Sequence, residues 1–313
     1  MSSSSKAVNP GRQANSTCIV GPIGVLSIYA GVSGASLVLS AVPRRELAKD
    51  GNRKMDLAIS GRKAIICGAS AGLGFAIADA LAGEGVEVYI AARNGDRLSQ
   101  AATRIEQRAP GCVHAVVADV TKPEGRQALL AECAEPDILI NNAAGPPPGN
   151  FRDWSEADWI DAVRANMLSP IMFTRAVIDG MIARRFGRIL NITSIAVKQP
   201  DPYLGLSNGA RSGLTGFMSG LAREVAQHNV TINNVLPGRF DTDRLKSTQQ
   251  HIAEKNANSL SDVRKEAAAA IPAGRFGEPP EFGATCAYLC GAHAGFITAQ
   301  NILMDGGEYR GLI

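Results

Sequence analysis

The chain has 313 residues, 45% of them apolar, with 33 glycines and a formal net charge of +3. That length suits one large α/β domain or two small ones, and the composition is that of a globular protein with many tight turns. A charge so near zero argues against a nucleic-acid partner, and the six cysteines and four histidines show no C-x-x-C pair or zinc-like spacing, so no metal is expected.

Residues 1–54 stand apart. The first 15 are polar and serine-rich, a composition that does not collapse into a core. Residues 18–42 then run without a charge, long enough to cross a bilayer as a helix. Arg44, Arg45, Arg53 and Lys54 follow, against Lys6 and Arg12 before, which would leave the remainder in the cytoplasm. Three readings stay open: a membrane anchor, a cleaved signal with an oversized apolar run, or a true start at Met55, where MDLAISGRKAIIC opens as a compact domain does. The expected location is cytoplasmic, with a membrane-anchored form as the alternative.

From Leu57 onward strands and helices alternate. Residues 64–67 form a short apolar strand ending in glycines, and 75–82 a helix. A second strand over 86–91 precedes a polar helix over 96–108. Further buried strands are expected at 114–118, 138–140, 188–192 and 230–235, with long helices over 154–183 and 206–228. Such alternation implies a Rossmann-type, doubly wound parallel sheet in a single domain, with its ligand at the strand C-termini. Residues 239–270 are polar and helical in composition and read either as a lid over the site or as a surface insertion. Cys286 and Cys290, one helical turn apart, read as packing residues, and the cysteine usage suits a reducing compartment.

The turn Gly68-Ala69-Ser70-Ala71-Gly72-Leu73-Gly74 lies between the first strand and the first helix. Its glycines let the backbone approach a pyrophosphate at the helix N-terminus. The second strand ends Ala91-Ala92-Arg93-Asn94, with no carboxylate for a ribose 2′-hydroxyl and a cation suited to a 2′-phosphate. The cofactor expected is NADP(H), with NAD(H) the lesser option; Ala71, where a second cation could sit, gives no added support.

This glycine spacing resembles the short-chain dehydrogenase/reductase family, and the likeness runs through 57–313. It implies that Asp119 and Val120 flank an adenine. Asn142, Ala143 and Ala144 match a cofactor loop, with Ala144 in place of a glycine. Asn166 matches a relay asparagine, and Ser194 a serine that binds the substrate. Pro237, Gly238 and Thr242 match the segment that holds the carboxamide, and Asp305-Gly306-Gly307 a C-terminal signature. The motif order is closest to the family's 3-oxoacyl-thioester reductases.

One part of the pattern is broken. Thirteen residues after Ser194, where the family has its proton-donating tyrosine, stands Ser207; four further on, where it has a lysine, stands Arg211. A serine hydroxyl is shorter and far less acidic than a phenol, and arginine does not shuttle a proton at neutral pH. Tyr203, Lys198, a water chain through Ser207 and Asn166, or a substrate that needs little acid help could each compensate. Two functions compete. One is a reductase of small carbonyl, imine or enone substrates with an atypical site; the other is a dinucleotide-binding regulatory protein with weak or lost catalysis. The small residues of the helix after Leu206 (Gly209, Ala210, Ser212, Gly213, Gly216, Gly220), together with the family likeness, imply a homo-oligomer, a dimer or homotetramer.

Overall fold

The computed structural model describes residues 19–21, 24–26 and 55–312. The chain divides into two compact units, Met1–Lys54 and Met55–Ile313. In the first, Ile19–Gly21 and Gly24–Leu26 pair as an antiparallel ribbon. Those six residues of the uncharged 18–42 stretch are strand. The remainder of that stretch, the serine-rich first 15 residues and the basic residues after 42 lie outside the described residues. Among the described residues no helix is long and apolar enough to cross a membrane.

The second unit is built on a seven-stranded parallel sheet. Its strands are β1 Lys63–Cys67, β2 Glu87–Ala92, β3 Val113–Val117, β4 Ile138–Asn142, β5 Gly187–Ile192, β6 Val230–Pro237 and β7 Asn301–Met304. They lie in the order β3-β2-β1-β4-β5-β6-β7, all pairs parallel. The central strands are runs of Ile, Val, Leu and Ala buried along their length, which is what a sheet covered on both faces requires. This is the Rossmann-type, doubly wound fold that the strand–helix alternation implies. Strand order reverses at β1 and β4, so the loops after these two strands open the crevice in which such sheets bind ligands.

One face is covered by α1 Gly72–Gly83, α2 Gly95–Glu106 and α9 Pro279–Cys290. Ile77, Leu81, Leu98, Phe282, Cys286 and Leu289 pack there on Ile66, Ile90 and Ile140. The other face is covered by α3 Pro123–Glu132, α5 Ser169–Ala183 and α6 Gly205–Val225. Leu129, Phe173, Met181, Leu214 and Met218 pack there on Ile65, Leu139 and Ile189. Residues 239–270 hold α7 Asp243–Lys255 and α8 Leu260–Ala269.

The helix expected over 154–183 is interrupted. Ser155 and Asp158 form a capping box, so the helix begins as α4 Glu156–Val163. A π turn, Arg164–Leu168, then leads into α5. Pro170 has no N–H, so the Asn166 carbonyl cannot take its usual helical partner four residues on, and the widened turn accommodates this. The helices α3 and α9 and the strand β7 were not read from the sequence. α3 buries only Leu129, which leaves no apolar stripe to detect.

Asparagines tie the strand ends together. Asn141 on β4 donates to Asn191 on β5 (2.9 Å), Asn191 to Asn234 on β6 (3.1 Å), and Asn234 to Asn301 on β7 (2.9 Å). In a buried sheet such a ladder is favourable only when each amide finds its neighbour, so it fixes the register of the edge that carries the site.

Candidate active site

After β1 the chain turns through Gly68 (φ +62°) and Gly72 (φ +58°), left-handed conformations that favour glycine. A Cβ on Gly68 would lie 2.8 Å from the Asn142 carbonyl oxygen, and one on Gly74 would lie 2.7 Å from Asn142 Nδ2. Asn142 itself, at the end of β4, donates to the carbonyls of Cys67 and Gly68 (3.2 Å each). The two loops of the crevice are therefore clamped together by one amide. Ala71 is the N-cap of α1, so among the described residues no side chain caps it, which leaves its first-turn N–H groups without a side-chain partner beside the half-buried Ser70 and Leu73. Across the crevice Thr242, the N-cap of α7, would meet a Cβ on Gly72 at 3.5 Å. This uncapped, glycine-lined cradle fits a dinucleotide pyrophosphate.

Ala92 ends β2, and the exposed Arg93 follows it, immediately before Asn94 caps α2. Arg93 is close enough to Asp119 for its charge to be felt there. Burial pushes the Asp119 carboxyl up, but two bonds from Thr121 (3.1 and 2.7 Å) and the Arg93 charge hold it below the usual range. The Val120 carbonyl accepts from Ser169 (2.6 Å) and Arg126 (2.9 Å), which fixes the wall next to Asp119. At the other end, Gly238 donates to the Met304 carbonyl, and a Cβ on it would lie 2.8 Å from Asp305 Cα, so Pro237-Gly238 is seated on the C-terminal Asp305-Gly306-Gly307 turn.

Ser194 follows β5 and caps the short turn Ile195–Val197, its hydroxyl accepting from Ala196 N–H (3.1 Å). Asn166 is buried in the π turn, and Ser207 is buried in the first turns of α6. α6 packs against both the π turn and the turn after Ser194, so one helix joins the three positions. Tyr203 sits on the turn Pro202–Leu204 with its side chain turned largely to solvent (65% exposed), and its hydroxyl makes no hydrogen bond among the described residues. Lys198 lies with its ammonium 5.6 Å from the centre of the Tyr309 ring.

Arg211, one turn after Ser207, is partly buried and donates from Nη2 to the Ala143 carbonyl (3.3 Å). Burial, with the Arg244 charge adding to it, pulls its guanidinium down to about 10, still fully charged at neutral pH. Arg244 was not read from the sequence. It stands two residues after Thr242, on α7, and donates to the Gly145 carbonyl (3.3 Å) from 99 residues away. Ala144, between the two acceptors, is exposed.

The family model described as short chain dehydrogenase matches residues 62–253. A 3-oxoacyl-[acyl-carrier-protein] reductase of Vibrio cholerae is 31% identical over 256 residues, covering 80% of this chain and 98% of that protein. Nodulation protein G of Rhizobium sp. is 34% identical over 261 residues, covering 80% and 97%. Among solved structures, L-sorbose reductase of Gluconobacter frateurii complexed with NADPH and L-sorbose superposes with a TM-score of 0.79 at 30% identity, covering 82% of this chain and all of that one. An actinorhodin polyketide ketoreductase with NADPH gives 0.75 at 29%, covering 80% and 98%.

Proposed function

The chain belongs to the short-chain dehydrogenase family, and from that premise we propose that it is an NADP(H)-dependent oxidoreductase acting on a carbonyl, imine or enone substrate through an atypical proton route. The observation that carries this reading is the cradle after β1, where Asn142 holds the glycine turn against the β4 loop below an uncapped helix. Gly68, Ser70, Gly72, Leu73 and Gly74 would hold the pyrophosphate, Asp119 and Val120 the adenine side. Asn142, Ala143, Ala144, Pro237, Gly238 and Thr242 would line the nicotinamide side. Arg93, with Ala92 before it, supports the phosphorylated dinucleotide, as do the NADPH complexes of the structural relatives. The cofactor supplies the hydride.

Ser194 orients the substrate's polar atom. Ser207 and Asn166 carry water toward it, and Arg211 supplies the fixed charge that steadies the nicotinamide ribose. A hydroxyl and a water chain are weaker acids than a phenol, so ordinary ketones turn over slowly and substrates that need less protonation turn over faster. The exposure of Tyr203 favours the water route over its phenol. NADPH consumption over ketones, acyl thioesters, imines and enones tests the reading. Tight NADPH binding with no turnover on any of them would leave a regulatory dinucleotide-binding protein instead.

The same unit is proposed to form a homodimer or homotetramer through α5 and α6. A Cβ on Gly209 would meet Trp159 and one on Gly213 would meet Met167, so these two glycines serve packing within the chain. Gly216 and Gly220 face open space, with Met172 on α5, Phe217 on α6 and Leu168 in the π turn exposed. Light scattering decides this, and a monomer would refute it. Free thiols at Cys67, Cys133, Cys286 and Cys290 support a reducing, cytoplasmic setting.

A further inference from the structure

We infer that Arg211 and Arg244 form a two-guanidinium site for a carboxylate carried by the substrate, an inference that rests on the reductase reading and narrows its substrates to anionic carbonyl compounds.

The geometry is convergent. A Cβ placed on Gly145 would lie 3.2 Å from Arg244 Nη2 and 3.3 Å from Arg211 Nη2, so two cations from α6 and α7 flank one point at the β4 loop. Each makes a single long hydrogen bond to a neutral backbone carbonyl, at Ala143 and Gly145, out of the roughly five N–H donors an arginine has. Neither forms an ion pair among the described residues. Asp243, beside Arg244 in the chain, pairs with Arg97, and Asp241 with Lys246 and Arg264.

Two guanidiniums converging without a counter-charge repel each other, and partial burial adds to the cost. An anion between them reverses both effects, and the planar fork of arginine matches a carboxylate with two parallel bonds. The position selects which anion. Around the pyrophosphate cradle, a Cβ on Gly68 meets Asn142 and one on Gly74 meets Gly68 and Asn142, while one on Gly72 meets only Thr242, with Arg244 more than 4 Å away. Arg244 reaches past the cradle to Gly145, toward the helix that carries Ser207. The paired charge thus lies at the reacting end of the crevice, where a substrate rather than the cofactor's phosphates would meet it.

The test uses pyruvate, acetoacetate and levulinate, each beside its methyl ester, with NADPH and the full chain. At least one acid should exceed its ester in kcat/KM by about tenfold or more, and Arg244→Gln should reduce that ratio by roughly 10–100-fold, with Arg244→Lys intermediate. NADPH affinity, read by fluorescence titration, should change by less than about threefold in Arg244→Gln, because the cradle does not contain Arg244. Calorimetry of the same acids against the protein with NADP⁺ reads the site without turnover. Acids and esters handled alike in both assays overturn the inference, even if the esters are reduced and the reductase reading stands. A large loss of NADPH affinity in Arg244→Gln with no change in acid preference also overturns it, by assigning Arg244 to the cofactor. Acid binding that Arg244→Gln abolishes, with no reduction of any compound, supports the site and refutes the reductase.

Discussion

Two arginines at opposite ends of the sheet show how the same side chain can close a structure or hold it open. Arg188, near the start of β5, is fully buried. Its donors reach the carbonyls of Gly291 (3.2 Å), Gly187 (2.9 Å) and Asn229 (2.8 Å) and the Asn229 side chain (3.3 Å), and its guanidinium lies 4.3 Å from the centre of the Phe186 ring. Arg211, beside the end of β4, makes one bond and faces another cation. Burial depresses both guanidiniums, yet only the first has its hydrogen-bonding capacity taken up by the fold. Saturated donors mark a structural cation; unspent donors at the crevice mark one that waits for a ligand.

The sharpest way to extend this contrast is to convert the open end into the usual acid–base pair. Ser207→Tyr with Arg211→Lys should raise kcat on a simple ketone by about 10²–10⁴, the usual worth of a positioned general acid. No gain, in a variant that still binds NADPH, would mean that something other than the missing phenol limits turnover. Next in size is Arg188→Met. It removes the guanidinium bonds to the carbonyls of the buried Gly187 and Gly291 and should cost about 3 kcal/mol, a fall of roughly 6–12 °C in melting midpoint for a unit of this length. A loss no greater than that of Arg211→Met would break the comparison.

Arg211→Met should behave in the opposite sense. Its guanidinium is held below its unfolded value, so the charged form carries a cost that is present below about pH 10 and fades as pH rises from there toward the unfolded value. Removing the charge should leave the melting midpoint at neutral pH unchanged or slightly raised, while turnover falls about tenfold or more. A clear drop in stability with activity intact would make Arg211 a second Arg188.

Much of this was legible in the chain before any coordinates. The parallel, doubly wound sheet followed from apolar runs alternating with helices, and the glycine turn from its place between a strand and a helix. What was hidden has physical reasons. The break at Asn166 reads as continuous helix, although Pro170, four residues later, was the available signal. The Arg244–Gly145 contact joins residues 99 apart, and no local pattern announces it; 239–270 was legible only as a polar helical segment. The Asn142 clamp likewise depends on two loops meeting across 75 residues.

A third arginine gives the smallest expected effect and completes the series. Arg275 donates to both oxygens of Glu281 (2.8 and 2.7 Å), and Glu281 also closes the capping box of α9 by accepting from Glu278 N–H. The Arg275 bonds, and then the Glu278 N–H, hold the Glu281 carboxyl down to about 2. A depressed carboxylate contributes stability that is present above its unfolded value near 4.5 and is lost as pH falls toward 2. Both groups are solvated, so the pair is screened and its loss is mostly recovered by water. Arg275→Ala should therefore leave the melting midpoint at pH 7 unchanged within experimental scatter, and should make the unfolding profile between pH 4.5 and 2 less steep than that of the wild type. Geometry alone would rank this bidentate pair above the single 3.3 Å bond of Arg211. If Arg275→Ala proved as damaging as Arg188→Met, partner count rather than burial would be the better guide to what an arginine does in this fold.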